Sequence, residues 1–182
     1  MSDLGTSYMG IGLKNPIIAG ASTLTCDMDT IKALEEAGAA ALVTCSLFEE
    51  QIQLERLQMQ EDLTAFDNVH PEMTDIFPDL EHAGAETHLM WVRRAKESVD
   101  IPVIGRLNCE NHETWIEYAG QMVETGIDGL ELNFYSAPTK LDQSGASIIE
   151  DQVAIVQEIV NSVSIPVSVK LSPFYANPLN VV

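Results

Sequence analysis

The stretch "SVDIPVIGRL" at 98–107 returns as "SVSIPVSVKL" at 162–171, 64 residues later. Each copy reads as the tail of a helix, a turn carrying a proline and then an apolar strand. Proline cannot continue a helix, and the run after it is rich in β-branched residues. Between the copies lies "VETGIDGLELNF" at 123–134, where Gly126 stands at the expected end of a helix and a strand follows. The same grammar appears at 34–46 in "LEEAGAAALVTCS". Two helix–strand units within one period match the size of βα repeats, and a chain built of such units folds into a parallel sheet.

Five strands are expected at 17–21, 40–45, 102–107, 129–134 and 166–171. They are mostly short apolar runs rather than alternations, which suits burial on both faces. The helices between them carry apolar stripes. Trp115, Ile116, Ala119, Met122 and Val123 recur at helical spacing in one, and Ile148, Ile149, Val153, Val156 and Val160 in the next. Asp29 and Ser144 are the expected helix starts. The opening "TSYMGIGLKNP" reads as a hairpin. No phosphate-binding GxGxxG follows a strand, which favours a barrel over a doubly wound sheet. The expected fold is therefore α/β, a partial TIM (β/α)8 barrel of about five parallel strands with an N-terminal hairpin. A complete barrel of this kind takes about 250 residues, so the 182 residues are read as one incomplete domain over 1–182. Residues 46–86 form the odd segment: "LFEEQIQLERLQMQ" is helical, and the acidic, proline-bearing stretch after it has no period. It is expected to be a lid-like excursion.

Charge narrows the function classes. The chain has 28 acidic and 9 basic residues and a formal net charge of −19. Such a surface cannot neutralise a row of phosphates, so nucleic acid is excluded as a partner, and anionic membrane is disfavoured. Acidity of this kind serves solubility, or adaptation to a salt-rich cytoplasm, and the sequence leaves both open. There is no run of apolar residues long enough to cross a membrane and no signal-peptide pattern, so a cytoplasmic location is expected. Cys26, Cys45 and Cys109 suit reduced thiols, and their spacing matches no metal-ligand pattern.

In barrels of this class the site lies at the C-terminal ends of the strands. Those ends carry Ala21-Ser22-Thr23, Thr44-Cys45-Ser46, Arg106-Leu107-Asn108-Cys109, Asn133-Phe134-Tyr135-Ser136 and Lys170-Leu171-Ser172. Short polar groups, two amides and a lysine suit a planar ligand with polar edges. Lys170 reads either as a lysine reaching from a strand end to water or as an ammonium aimed at an anionic or electron-accepting ligand. Asn133 reads either as a satisfied core amide or as a ligand contact.

"KNPIIAGAS", "GLELNFYSAPT" and "IPVSVKLSP", with "SLFEEQI" and "KLSPFY", resemble the strand-end motifs of the dihydroorotate dehydrogenase family. These are FMN-dependent barrels of pyrimidine synthesis, and the motifs are closest to a bacterial dihydroorotate dehydrogenase-like branch. The resemblance covers nearly the whole chain but only the N-terminal half of the family. It implies an FMN-dependent oxidoreductase acting on a CH–CH bond of a small-molecule substrate. Ala21, Ser22, Cys45, Asn108, Asn133 and Lys170 would bind the cofactor, Asn133 would also contact substrate, and Ser136 would stand where the family places its catalytic base. No metal is implied.

Two departures bear on specificity. Thr44-Cys45-Ser46 replaces a Thr-Lys-Ser in the family, and Pro138 replaces a substrate-binding asparagine. The phosphate-binding strands seven and eight of the family have no counterpart in these residues. The alternative expectation is a half-barrel without catalysis, a scaffold or truncated product that self-associates through an open strand edge into a homo-oligomer.

Overall fold

The computed structural model describes residues 4–50, 52–53, 85–135 and 142–173, together with 175, 177, 179 and 181. An antiparallel hairpin, β1 (Thr6–Tyr8) and β2 (Ile11–Leu13), precedes a five-stranded parallel sheet that curls into half a barrel. The sheet runs in chain order through β3 (Ile18–Ala19), β4 (Ala41–Phe48), β5 (Val103–Asn108), β6 (Gly129–Phe134) and β7 (Val167–Leu171). Helices α1 (Met28–Glu36), α2 (Ala85–Ser98), α3 (His112–Glu124) and α4 (Gly145–Ser162) alternate with the strands. The α/β half-barrel and hairpin expected from the sequence are thus present. No helix among the described residues is long and apolar enough to cross a membrane. The lid-like excursion expected over 46–86 lies largely outside the described residues.

Helices occupy one face of the sheet. Leu107, Leu130, Leu132 and Phe134 pack there against Trp115, Met122, Ile155 and Ile159 in a single buried cluster. Because successive strand residues point to opposite faces, the intervening Arg106, Asn108, Glu131 and Asn133 line the helix-free face. Gly105 lies on the helix side, where a Cβ would meet the ends of Met122 and Ile127 at 2.6 Å, so only glycine lets α3 approach so closely.

The hairpin plugs the bottom of the helix-free face. Met9 (φ 54°) and Gly10 (φ 83°) form its two-residue turn, the left-handed pair that such hairpins favour. A Cβ on Gly129, the first residue of β6, would come within 2.8 Å of Met9 and 3.2 Å of Ile11. The same end is tied by carboxylates. Glu35 accepts from the backbone N–H groups of Asp100 (2.9 Å) and Ile101 (3.0 Å). Asp128 accepts from Val103 N–H and from Lys96 Nζ, each at 2.7 Å. Strand starts are thereby fixed to helix ends by charge-assisted hydrogen bonds.

Several boundaries differ from expectation. Helix α1 is capped by Asp27, whose Oδ2 accepts from Thr30 N–H at 2.9 Å and from Thr30 Oγ1 at 2.8 Å, and Asp29 lies inside the first turn. Ser144 caps α4 as expected, its Oγ accepting from Ser147 N–H at 3.1 Å. Strand β3 shrinks to two residues and β4 extends to Phe48, so Leu47 and Phe48 are strand where a helix was expected. On α4 the fully buried residues are Ile155 and Ile159, while Val153 and Val160 are exposed. The cause is position: α4 flanks the last strand, and no described element covers its outer side. Burial on both faces likewise fails for β7, in which every residue is half-buried or exposed.

Candidate functional site

Strand register assembles the site. Lys170 stands opposite Asn133, and Asn108 opposite Phe48. Leu107 pairs with Leu132, so the following residues, Asn108 and Asn133, are neighbours across β5 and β6. Phe48, Asn108, Asn133 and Lys170 therefore form one row at the C-terminal rim of the helix-free face. Asn133 is buried, Asn108 half-buried and Lys170 exposed. A second row lies one step below: Ser46 opposite Arg106, Arg106 opposite Glu131, and Glu131 opposite Ser168.

The lower row contains an ion pair. Arg106 Nε lies 3.3 Å from Glu131 Oε1, with side chains only 13% and 18% exposed. The contact is ionic without good hydrogen-bond geometry, since the buried Nε makes no hydrogen bond. Arg106→Met leaves Glu131 as a largely buried charge without that partner and lowers stability by about 1–3 kcal/mol, reduced from the fully buried case by partial solvation. The double change Arg106→Met with Glu131→Leu recovers most of the loss, as urea unfolding of the three proteins will read.

Strand β4 reaches the rim through an irregularity. Its register to β5 shifts between Val43 and Ser46, and the fully buried Thr44 fills the gap by accepting Arg106 N–H on its Oγ1 at 3.1 Å. The extra residue carries the chain to Phe48, as a bulge does. Cys45 sits within this shift. Burial, aided by interaction with the Cys26 thiol, pushes its pKa up to about 12, so it is neutral near pH 7. It supplies no substitute for the family's lysine charge.

Beyond Phe48, Glu49 ties the rim together. Its carboxylate accepts from Glu110 N–H, from Asn111 N–H at 2.8 Å, from Asn111 Nδ2 at 2.9 Å and from Gln53 Nε2 at 2.9 Å. Burial opposes its ionisation, but the hydrogen bonds from Asn111, Glu110 and Gln53 prevail and hold the group below the usual carboxylate range. The charge lies before the first turn of α3, where the helix dipole also favours an anion.

The residues read from the sequence fall as follows. Asn108, Asn133 and Lys170 share one row. Ala21 and Ser22 follow β3 and lead into a single 3-10 turn, Thr23–Thr25, in which Ser22 N–H donates to Thr25 Oγ1 at 3.0 Å. Ser136 and Pro138 lie outside the described residues. Arg106, Glu131, Thr44 and Glu49 were missed as site-building residues. For the ion pair a signal existed: Arg106 and Glu131 precede Asn108 and Asn133 by two residues, and so share their face.

A parallel sheet curled around a helix-free polar face, with amides and a lysine at its C-terminal rim, defines the chain as the larger part of a (β/α) barrel. In sequence it is similar to the catalytic subunit of dihydroorotate dehydrogenase B (NAD(+)) from Thermoplasma volcanium, 31% identical over 192 residues, covering 100% of this chain and 58% of that protein. The same subunit of Thermoplasma acidophilum is 32% identical over 180 residues, covering 95% of this chain and 55% of that one. The chain is a homologue of dihydroorotate dehydrogenase catalytic subunits, as its strand-end motifs suggest, and it spans about half the length of these curated relatives. No protein-family model matches it. Among solved structures, a dihydrodipicolinate synthase superposes with a TM-score of 0.54 at 15% identity, covering 86% of this chain and 46% of that one. Another, from Bacillus anthracis, gives 0.50 at 19% identity, covering 93% and 46%. At such identities these structures support the barrel fold alone.

Proposed function

We propose that the chain carries the ring-binding half of an FMN-dependent oxidoreductase of the dihydroorotate dehydrogenase kind, acting on a CH–CH bond, with oxidation of dihydroorotate to orotate as the reference reaction. The observation that carries this reading is the rim row of Asn108, Asn133 and Lys170 on the helix-free face, joined to the sequence relationship with dihydroorotate dehydrogenase B. The residues suit a flavin ring: Asn108 and Asn133 each offer a donor and an acceptor, and Lys170 offers a mobile cation. The buried Arg106 Nε, which makes no hydrogen bond, adds positive potential beneath them. FMN, when bound, supplies the hydride acceptor. Ala21, Ser22 and Cys45 would flank the ring, and Lys170 would favour negative charge at its edge. Ser136 is proposed as the base that takes a proton from the substrate carbon. A serine is weakly basic, so this role requires a relay or a desolvated site.

FMN titration of the protein, followed by quenching of flavin fluorescence, tests the reading. Lys170→Ala should weaken binding by about tenfold or more, the worth of a charge-assisted hydrogen bond. Lys14→Ala, beyond the hairpin at the opposite end of the sheet, should leave binding unchanged. A second reading, a non-catalytic half-barrel that self-associates, has its own support. Strand β7 has one neighbour in the sheet among the described residues, and exposed Val153 and Val169 flank it. A protein indifferent to FMN that sediments as a multimer would favour that reading.

A further inference from the structure

We propose that Cys26 and Cys45 are a thiol pair that closes to a disulfide on reaction with a low-molecular-weight disulfide such as oxidised glutathione. The inference is independent of flavin binding. Cys26 follows the 3-10 turn after β3, is exposed, and donates its Sγ hydrogen to Ser22 O at 3.2 Å. Cys45 is half-buried in the register shift of the adjacent strand β4, and its thiol interacts directly with that of Cys26. The two sulfurs therefore face each other across neighbouring strands. Cys109, the remaining cysteine, is buried on β5's far end beside Glu49.

The geometry divides the labour. Cys26 is the sulfur that a reagent in solution can reach. As thiolate it attacks one sulfur of oxidised glutathione, forming a mixed disulfide and releasing one glutathione thiol. Cys45, having lost its proton to water, then attacks the Cys26 sulfur, and the second glutathione thiol leaves. The two cysteines lose two hydrogens and two electrons, which the glutathione disulfide gains. The high pKa of Cys45 makes the second step slow at neutral pH, because few Cys45 sulfurs are ionised. Its rate should climb about tenfold per pH unit between roughly pH 7 and 9. The product would bind the turn carrying Ala21 and Ser22 to the irregular part of β4, so the rim of the candidate site would be oxidation-sensitive.

The test incubates the whole protein with oxidised glutathione and follows intact mass, free thiols and the cross-linked peptides. Of the three cysteines, only Cys109 should stay free, with no glutathione retained and one peptide joining Cys26 to Cys45. Cys45→Ser should stop at a stable glutathione adduct on Cys26, and Cys26→Ser should react at least about tenfold more slowly than wild type under native conditions. Three results would overturn the proposal: a persistent glutathione adduct on wild-type Cys26 at pH 9, a bridge to Cys109, or no reaction at Cys26. The Cys45→Ser adduct keeps the test decisive, since it reports access to Cys26 separately from pairing. A bridge also needs the two Cα atoms to come within about 7 Å, so its absence would say that the strands hold them too far apart.

Discussion

Glu49→Ala should lower the stability of the protein by about 3–5 kcal/mol, the cost of removing a buried, multiply hydrogen-bonded charge and leaving its donors without a partner. The carboxylate is 3% exposed. It gathers two consecutive backbone N–H groups, Glu110 and Asn111, and two side-chain amides, Asn111 and Gln53. Alanine leaves all four donors to be hydrated at the mouth of the site or not at all. Urea unfolding at pH 7 measures the loss, and Glu49→Gln, which keeps one acceptor oxygen, should fall between alanine and wild type. The pH dependence has a definite sign. The folded carboxyl titrates lower than an unfolded glutamate, whose pKa is about 4.3. Its stabilisation is therefore complete above that value and disappears as pH falls through the lower folded one. The gap between wild type and Glu49→Ala should be constant near neutrality and narrow under acid, and a gap that widened below pH 4 would contradict the assignment.

The position of Glu49 explains why a structural carboxylate matters to a binding rim. Phe48, its neighbour in sequence, lies opposite Asn108 at the end of β5. Asn111, which Glu49 holds, begins α3 only three residues after Asn108. One side chain thus fixes the end of β4 to the loop that follows β5. Where the lower end of the sheet uses Glu35 and Asp128 to anchor strand starts, the upper end uses Glu49 to anchor strand exits. Carboxylates at both ends make part of the large acidic excess structural rather than merely solvating.

The sheet was legible in the sequence because its information is local. A proline turn, an apolar run and a left-handed glycine recur at each unit, and Gly38 (φ 105°) and Gly126 (φ 89°) adopt the conformation that their places after α1 and α3 require. The rim row was legible for the same reason, since polar side chains interrupt apolar strands at their ends. What escaped depended on partners distant in the chain. Strand β4 runs on past Cys45 because Thr44 takes over the hydrogen bond of Arg106, 62 residues away, and neither residue announces the other. The buried Glu49 looked like one of many acids until Asn111 enclosed it. Periodicity also states which stripe of a helix is apolar without stating what covers it, and so Val153 and Val160 were grouped with Val156 although they remain exposed. Asp27 and Asp29 competed for the start of α1 with the same chemistry, and only the Thr30 contact separates them.

Trp115→Ala should cost about 3–5 kcal/mol, the usual range for an aromatic residue removed from a closed core. Trp115 is 1% exposed, and its ring meets that of Phe134 with centroids 4.8 Å apart at an interplanar angle of 49°, a tilted packing that adds to the burial itself. The effect should also reach the opposite face. Phe134 follows Asn133 on β6, and consecutive strand residues point to opposite sides. Whatever holds Phe134 against α3 therefore holds the Asn133 amide in the rim row. Trp115→Ala should weaken FMN binding as well as stability, although Trp115 lies on the helix-covered side. Trp115→Phe keeps a ring against Phe134 and should restore most of both. Lys170→Ala supplies the contrast: an exposed rim lysine should change stability by no more than about 0.5 kcal/mol while its effect on FMN remains. If Trp115→Ala lowered the unfolding midpoint and left FMN affinity untouched at a temperature where the variant is folded, the coupling of core to rim through β6 would be refuted.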